Sequence, residues 1–273
     1  MEIEQTLAGG IGNAGRVVRV GDTVRRPWRP STPATDAVLD RLAQVLPGVA
    51  PKPLGRDDQG REVLSWIDGD VGLPPFPAWV TSREFLISLG ELLRRIHDAL
   101  DGWSPPAGVR WGQELADPHG GPLIAHADIC PENVIARDGR AVAVIDWEFA
   151  APGRRIWDVV STARLCVPFT APSRRTAAYH GLDVRERLRT LVEAYRLSEP
   201  DRAAFAGVLD ERRRVGERFV RGRVARREPA FVELWDNAEG EARLQVERGW
   251  VEAVPVDVVT KVEDGERAAL TCD

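Results

Sequence analysis

The stretch His126-Ala-Asp-Ile-Cys-Pro-Glu-Asn133, with Val142-Ala-Val-Ile-Asp146-Trp-Glu148 after it, decides how this chain is read. It has the form H-x-D-x-x-x-x-N, then a turn at Arg137-Asp-Gly-Arg140, then an apolar strand that ends on an aspartate. A lone Asp or Asn in a loop is a turn residue. Here four positions agree with the needs of kinase-type phosphoryl transfer. One carboxylate, Asp128, meets the acceptor hydroxyl, and an amide, Asn133, and a second carboxylate, Asp146, hold magnesium against nucleotide phosphates. Magnesium prefers oxygen ligands and takes few of them from protein, so one amide and one carboxylate suffice. Pro131 stiffens the loop. His126 is read as an anchor of the loop backbone, with a general-base role as the alternative. Cys130 is read as a packed small side chain, since no activating partner is evident.

Outward from this hairpin, the upstream third reads as a small antiparallel sheet. Strands are expected at Glu2–Leu7, Arg16–Val20 and Thr23–Arg26, the last stopped by Pro27. A helix is expected over Thr35–Leu46, and a strand–turn–strand unit over Leu54–Ile67 with its turn at Asp57-Asp-Gln-Gly60. The glycine-rich segment Gly10-Ile-Gly-Asn-Ala-Gly15 fits G-x-G-x-x-G. A dinucleotide loop of that form must open a helix, but a strand follows here. The loop therefore reads either as a flap over nucleotide phosphates, through Gly10, Gly12, Asn13 and Gly15, or as a plain glycine hairpin.

Such a site also needs a cation on the third strand. Only two of the 37 basic residues are lysines, Lys52 and Lys261, and neither lies there. Arg25 and Arg26 do, and strand alternation puts Arg26 on the face of Val24. Arg26 is the chosen phosphate contact, because Arg grips phosphate bidentately. Its acidic partner would come from the following helix, as Asp36 or Asp40, or be missing. Trp66 and Ile67 end the last strand, where backbone groups would meet an adenine edge. The Trp66 side chain reads equally well as a buried aromatic. Asp158 reads as a brace for the catalytic loop or as a helix cap.

Asp68-Gly-Asp-Val-Gly-Leu-Pro-Pro-Phe-Pro77 is the expected lobe boundary. Beyond it, Ser82–Leu100 carries an apolar stripe of Phe85, Leu86, Leu89, Leu92, Leu93 and Ile96, and the chain from Val184 onward is helical. The fold class is α+β, with a strand-rich nucleotide-binding lobe over 1–67, a helical catalytic and substrate lobe over 68–254, and an irregular tail over 255–273. Net charge is −5, which does not suit a broad nucleic-acid interface. No run is long and apolar enough for a membrane span, and the first residues lack a basic-then-apolar leader, so a cytoplasmic protein is expected. Three scattered cysteines make neither a disulfide framework nor a zinc site.

These stretches, with Leu89-Gly-Glu-Leu-Leu-Arg-Arg-Ile-His97 and Asp146-Trp-Glu-Phe-Ala-Ala-Pro-Gly153, resemble the aminoglycoside phosphotransferase-like (APH/choline kinase-type) enzymes, in particular an actinobacterial branch. The likeness spans residues 1–252. It implies a bilobal protein-kinase-like fold, ATP or GTP as donor with Mg2+, and a hydroxylated small molecule as acceptor, such as an antibiotic or other metabolite. In that scheme Asp128 is the base, and Asn133 and Asp146 bind the metal. The family usually has Gly where this chain has Ala127, and a Lys where it has Arg26. The branch also resembles trifolitoxin-immunity-like proteins, so a catalytically weak binder that sequesters a peptide or metabolite is the alternative. Glu148, Glu233, Asp236 and Glu239 are candidates to receive a cationic acceptor.

Overall fold

The computed structural model of the chain describes residues 3–7, 15–255 and 257–259. Strands β1 (Gln5–Thr6), β2 (Val18–Val20), β3 (Thr23–Arg26), β4 (Pro53–Arg56) and β5 (Glu62–Ser65) form one antiparallel sheet in the order β1-β2-β3-β5-β4. β3 occupies the expected residues, and β5 stops at Ser65, just short of Trp66. Between β3 and β4 runs α1 (Thr32–Val45), which begins three residues before the expected start. Pro33 lies in its first turn, where a missing N–H breaks no helical bond. Val38, Leu39 and Leu42 turn inward from α1 and are fully buried.

The Asp68–Pro77 segment is more than a connector. Its β6 (Asp70–Val71) pairs with β8 (Val134–Arg137), which pairs with β9 (Arg140–Val144). The long helix α2 (Arg83–Leu100) starts at Ser82, whose hydroxyl accepts from the Phe85 N–H at 3.1 Å. All six residues of its expected stripe are buried. Against α2 lies α4 (Val184–Tyr195), and Gly90 sets how close they come. A Cβ built there would lie 2.8 Å from Ala194 Cβ and 3.0 Å from Leu191 O.

A second pair, β7 (Leu123–Ala125) with β10 (Ala151–Gly153), frames the chemistry-bearing loops. One loop leaves β7 and runs to β8; the other joins β9 to β10. Behind them stand α3 (Arg155–Cys166) and α5 (Glu199–Ala225), followed by α6 (Pro229–Asn237) and α7 (Gly240–Glu252). The architecture is therefore a small antiparallel-sheet lobe followed by a mainly helical one. Val259 is buried in the helical core, so the expected tail starts as part of that lobe. Residue 256 and residues 260–273 of that tail lie outside the described residues. No described helix is long and apolar enough to cross a membrane.

Candidate active site

The loop from β7 to β8 is held by a buried carboxylate. Asp158, in the first turn of α3, accepts the backbone N–H groups of His126 and Ala127, both at 2.6 Å. It also accepts from His97 Nε2 at 3.1 Å, and the other nitrogen of His97 meets the Tyr195 hydroxyl at 2.7 Å. Burial alone would raise the Asp158 pKa. The bond from His97, the charges nearby and the Ala127 N–H outweigh it and hold the carboxyl below its ordinary value. Asp158 is thus a buried brace lying inside the helix and not an exposed cap. It holds Ala127 at φ 67°, a left-handed conformation in which the glycine of the resembling family would be unstrained.

His126 is buried and anchored on both sides of its ring. Nε2 donates to the Ile145 carbonyl at 2.9 Å, and Nδ1 accepts from the Asp128 N–H at 3.2 Å. Accepting at Nδ1 requires the neutral tautomer, and burial lowers the His126 pKa in the same sense. The imidazole therefore ties the first loop to the second, in the anchoring role expected of it. Cys130 is half-buried, and burial raises its thiol well above the ordinary pKa, which removes thiolate reactivity.

Asp128 is half-buried at the loop apex. Burial pushes its pKa up to about 7; Arg212 opposes this, and Asp146, Glu148 and Glu132 add to it. Asn133 donates its amide to the Asp128 carbonyl at 2.9 Å, an arrangement that turns its amide oxygen away from that bond. Asp146 stands in left-handed backbone, φ 60°, at the turn after β9. Asp adopts this conformation more readily than most residues, by bonding locally through its short side chain.

Arg26 reaches Asp146 from the other lobe, Nη1 to Oδ1 at 2.9 Å. Its main partner, however, is Glu62, at 2.5 Å from Nε and 3.2 Å from Nη2. This is a correction to the expected helix partner. Glu62 stands directly across from Arg26 in the β3–β5 ladder, so the pair forms within the sheet. Asp36 of α1 lies against the same pair. Burial and the Glu62 charge raise its pKa, whereas Asp40 is exposed. Arg26 is itself buried; burial would lower its pKa, but Glu62 and Asp146 raise it. Arg25 faces away, 3.7 Å from Asp57, as strand alternation requires.

Two clefts lie on either side of the Asn133–Asp128 hydrogen bond. The first lies between the lobes and is walled by Val17, Val24, Leu64, Ile135 and Ile145. Arg26, Asn133 and Asp146, which bring its polar groups, line it along with Trp66 and Ile67. The Trp66 N–H is engaged by the Asp22 carbonyl at 2.8 Å, and Arg19 stacks on the indole at 4.0 Å. Leu7 and Val17, which flank the glycine-rich segment, line this cleft and are joined by a 3.0 Å backbone bond. Gly10, Gly12 and Asn13 lie outside the described residues. Gly15, at φ 74°, is not among the cleft residues. The second cleft opens at Asp128 and runs between α3, α5 and α7. Arg164, Arg174, Arg212 and Arg213 line it, together with Glu217 and Glu247. The acids expected to receive a cation are not in this wall. Glu148 is paired with Arg29 at 3.0 Å, and Glu233, Asp236 and Glu239 lie on or beside α6.

A loop aspartate beside an Asn and a strand-end Asp, facing a small sheet across an apolar cleft, defines a kinase-like phosphotransferase scaffold. Residues 109–191 match the APH model, described as "Phosphotransferase enzyme family". The trifolitoxin immunity protein of Rhizobium leguminosarum bv. trifolii is 31% identical over 229 residues, spanning 77% of this chain and 80% of that protein. The chain belongs to the APH phosphotransferase family. Among solved structures, a choline/ethanolamine kinase family protein from Mesorhizobium loti superposes with a TM-score of 0.61 at 19% identity, covering 94% of this chain and 92% of that one. The GDP and kanamycin complex of APH(2")-IIia superposes at 0.60 with 13% identity, covering 90% and 93%. These two likenesses carry the fold.

Sequence reading missed Glu62, His97 and Arg212. Glu62 had a signal, a lone acid heading the otherwise apolar strand Glu62-Val-Leu-Ser65. His97 extends the α2 stripe and reads as core. Arg212 is one of many arginines in α5, and only the fold singles it out, with Nε 2.6 Å from Ser161 Oγ and Nη2 3.1 Å from the Ala127 carbonyl.

Proposed function

We propose that this chain is an ATP- or GTP- and magnesium-dependent O-phosphotransferase acting on a hydroxyl of a small molecule. The observation that carries this reading is that Asp128, on the second cleft, is hydrogen-bonded to Asn133, which lines the first cleft together with Asp146 and Arg26. The nucleotide occupies the cleft between the lobes, its base toward the backbone of Trp66 and Ile67 and its phosphates toward Arg26 and the glycine-rich segment. Asn133 and Asp146 fit magnesium, since they offer one neutral and one anionic oxygen beside the phosphate position and leave the remaining ligands to phosphate and water. The metal supplies neutralisation of charge on the transferring phosphoryl group. Asp128 orients the acceptor hydroxyl and takes its proton as the oxygen bonds to phosphorus and the nucleoside diphosphate leaves. A pKa of about 7 suits a base working near neutrality.

A second reading rests on the relative that carries the name of an immunity protein. In it, the same scaffold protects by binding a peptide or metabolite, with little turnover. Nucleotide consumption measured over a panel of hydroxylated compounds separates the two. The enzyme reading expects magnesium-dependent, acceptor-dependent consumption that Asp128→Asn lowers by at least ~10²-fold. Tight nucleotide-independent ligand binding without consumption supports the binder.

A further inference from the structure

The wall of the second cleft is cationic, and it is built. Arg212 spends Nε on Ser161 and Nη2 on the Ala127 carbonyl. Arg164 spends Nη2 on Glu247 at 3.2 Å. The remaining Nη1 atoms of both converge on one point of α5. A Cβ added to Gly216 would lie 3.4 Å from Arg212 Nη1 and 3.7 Å from Arg164 Nη1. Arg212 is 5% exposed, and the Arg164 side chain beside it is 14% exposed. Among the described residues, the Nε atoms of Arg164 and Arg174 are buried without a hydrogen-bond partner.

Asp128 and Asp158 face Arg212, and Asp210 pairs with Arg213, whereas the acids beside Arg164 and Arg174 among the described residues are already shared. Glu247 is 1% exposed and already serves Arg164, Arg174 at 3.4 Å and the Ala171 N–H. Glu217 is taken by Arg213, Arg221 and Arg248. Burial, with Arg212 alongside, lowers the Arg164 pKa to about 10 although Glu247 opposes it. A buried cation short of anions is costly, and an oxyanion entering the cleft relieves that cost. Forked guanidinium donors match carboxylate and phosphate oxygens.

We infer that the acceptor carries an oxyanion, a carboxylate or a phosphate, which Arg164 and Arg212 grip over Gly216 while the acceptor hydroxyl meets Asp128. The inference rests on the phosphotransferase reading for the hydroxyl and on the arginine pair for the anion. It excludes a cationic acceptor in this cleft, where the guanidinium groups would repel it.

The test uses the full chain with four hydroxylated probes at equal millimolar concentration: glycerate, glycerol 3-phosphate, glycerol and choline. Thermal shift and calorimetry read binding with the first cleft filled by magnesium nucleotide, and nucleotide consumption reads transfer. Glycerate or glycerol 3-phosphate is expected to bind and stabilise, and the stronger of the two identifies carboxylate or phosphate. Arg164→Gln should weaken that binding at least ~10-fold while magnesium nucleotide binds as to the parent. Gly216→Leu, which keeps a good helix former in α5 and fills the point of convergence, should do the same without removing a charge. Equal binding of glycerol, preference for choline, no binding of either anion, or parent-like binding in both variants overturns the inference. The two readings fail separately. Consumption with choline alone keeps the phosphotransferase and removes the oxyanion site, whereas variant-sensitive anion binding without consumption of any probe does the reverse.

Discussion

At the scale of single residues, the site is a set of charges held in defined states by burial. Asp128 has the clearest consequence. Its folded pKa, pushed up to about 7 by burial first, exceeds the ordinary aspartate value. Between those two values the folded state holds a proton that the unfolded state has lost, so this residue makes stability fall as pH rises from about 4 to 7. Asp128→Asn removes the ionisable group. The melting temperature of the variant relative to the parent should therefore be higher at pH 8 than at pH 5, read by thermal shift at both. The parent's turnover should show a rising limb with an apparent pKa of about 7, because transfer needs the ionised form. A pH-independent melting difference would show that the carboxyl is not held proton-rich. Arg26 has the opposite character. It answers Glu62, Asp146 and Asp36, whereas Glu62 answers one cation. Arg26→Met should cost ~3–5 kcal/mol, and more than Glu62→Gln, because it strands buried acids. The double variant should lose less than the two singles added together, by at least ~1 kcal/mol. Urea midpoints of the four proteins measure this, and strict additivity would deny the pair.

At the scale of elements, close approach overrides intrinsic preference. Gly90 sits in the middle of α2, where Ala is the better helix former by about 1 kcal/mol. Yet the added methyl would meet Ala194 Cβ at 2.8 Å and the backbone of α4 at Leu191 O and Tyr195 N, both 3.0 Å. Neither neighbour is a flexible side-chain end, so overpacking dominates. Gly90→Ala should lower the melting temperature, whereas a rise would show that α4 yields. This element also shows what a sequence can and cannot disclose. The α2 stripe was legible because helical periodicity reports a buried face directly. β3 and the 134–144 hairpin were legible because turn residues and alternation fix short strands. What remained hidden depends on pairing between distant segments. Whether Arg26 finds its acid on α1 or on β5 is decided by the β3–β5 register, which no local pattern encodes. β6 was hidden in a Gly/Pro-rich stretch because its partner lies more than sixty residues on, at Ile135 and Ala136. The arginine wall was hidden because α3, the turn at Pro172–Arg174 and α5 contribute to it separately.

At the scale of the whole molecule, the two lobes meet through charge at the place where the nucleotide is proposed to lie. Arg26 on the small sheet bonds Asp146 of the large lobe, and Arg29 bonds Glu148 beside it. Asp146 therefore bridges the lobes, and under the proposed function it also presents an anionic oxygen to magnesium. Asp146→Asn separates charge from shape. Asn is at ease in left-handed backbone, so the φ of 60° is kept, and its amide oxygen can still accept from Arg26. What is lost is the negative charge, and magnesium is usually held through carboxylate oxygens. The parent, with magnesium and nucleotide at 100 times the dissociation constant, should gain about 2.7 kcal/mol of stability by mass action. In Asp146→Asn, nucleotide should bind with little dependence on magnesium, and most of the magnesium-linked part of that gain should vanish. Asn133→Ala should lose a smaller part, since it removes a neutral ligand. Titrating magnesium against a fluorescent nucleotide, with thermal shift alongside, reads both. Should Asp146→Asn keep the parent's magnesium dependence, the metal would have to sit away from the β9 terminus, and the site beside Asp128 and Asn133 would need another donor.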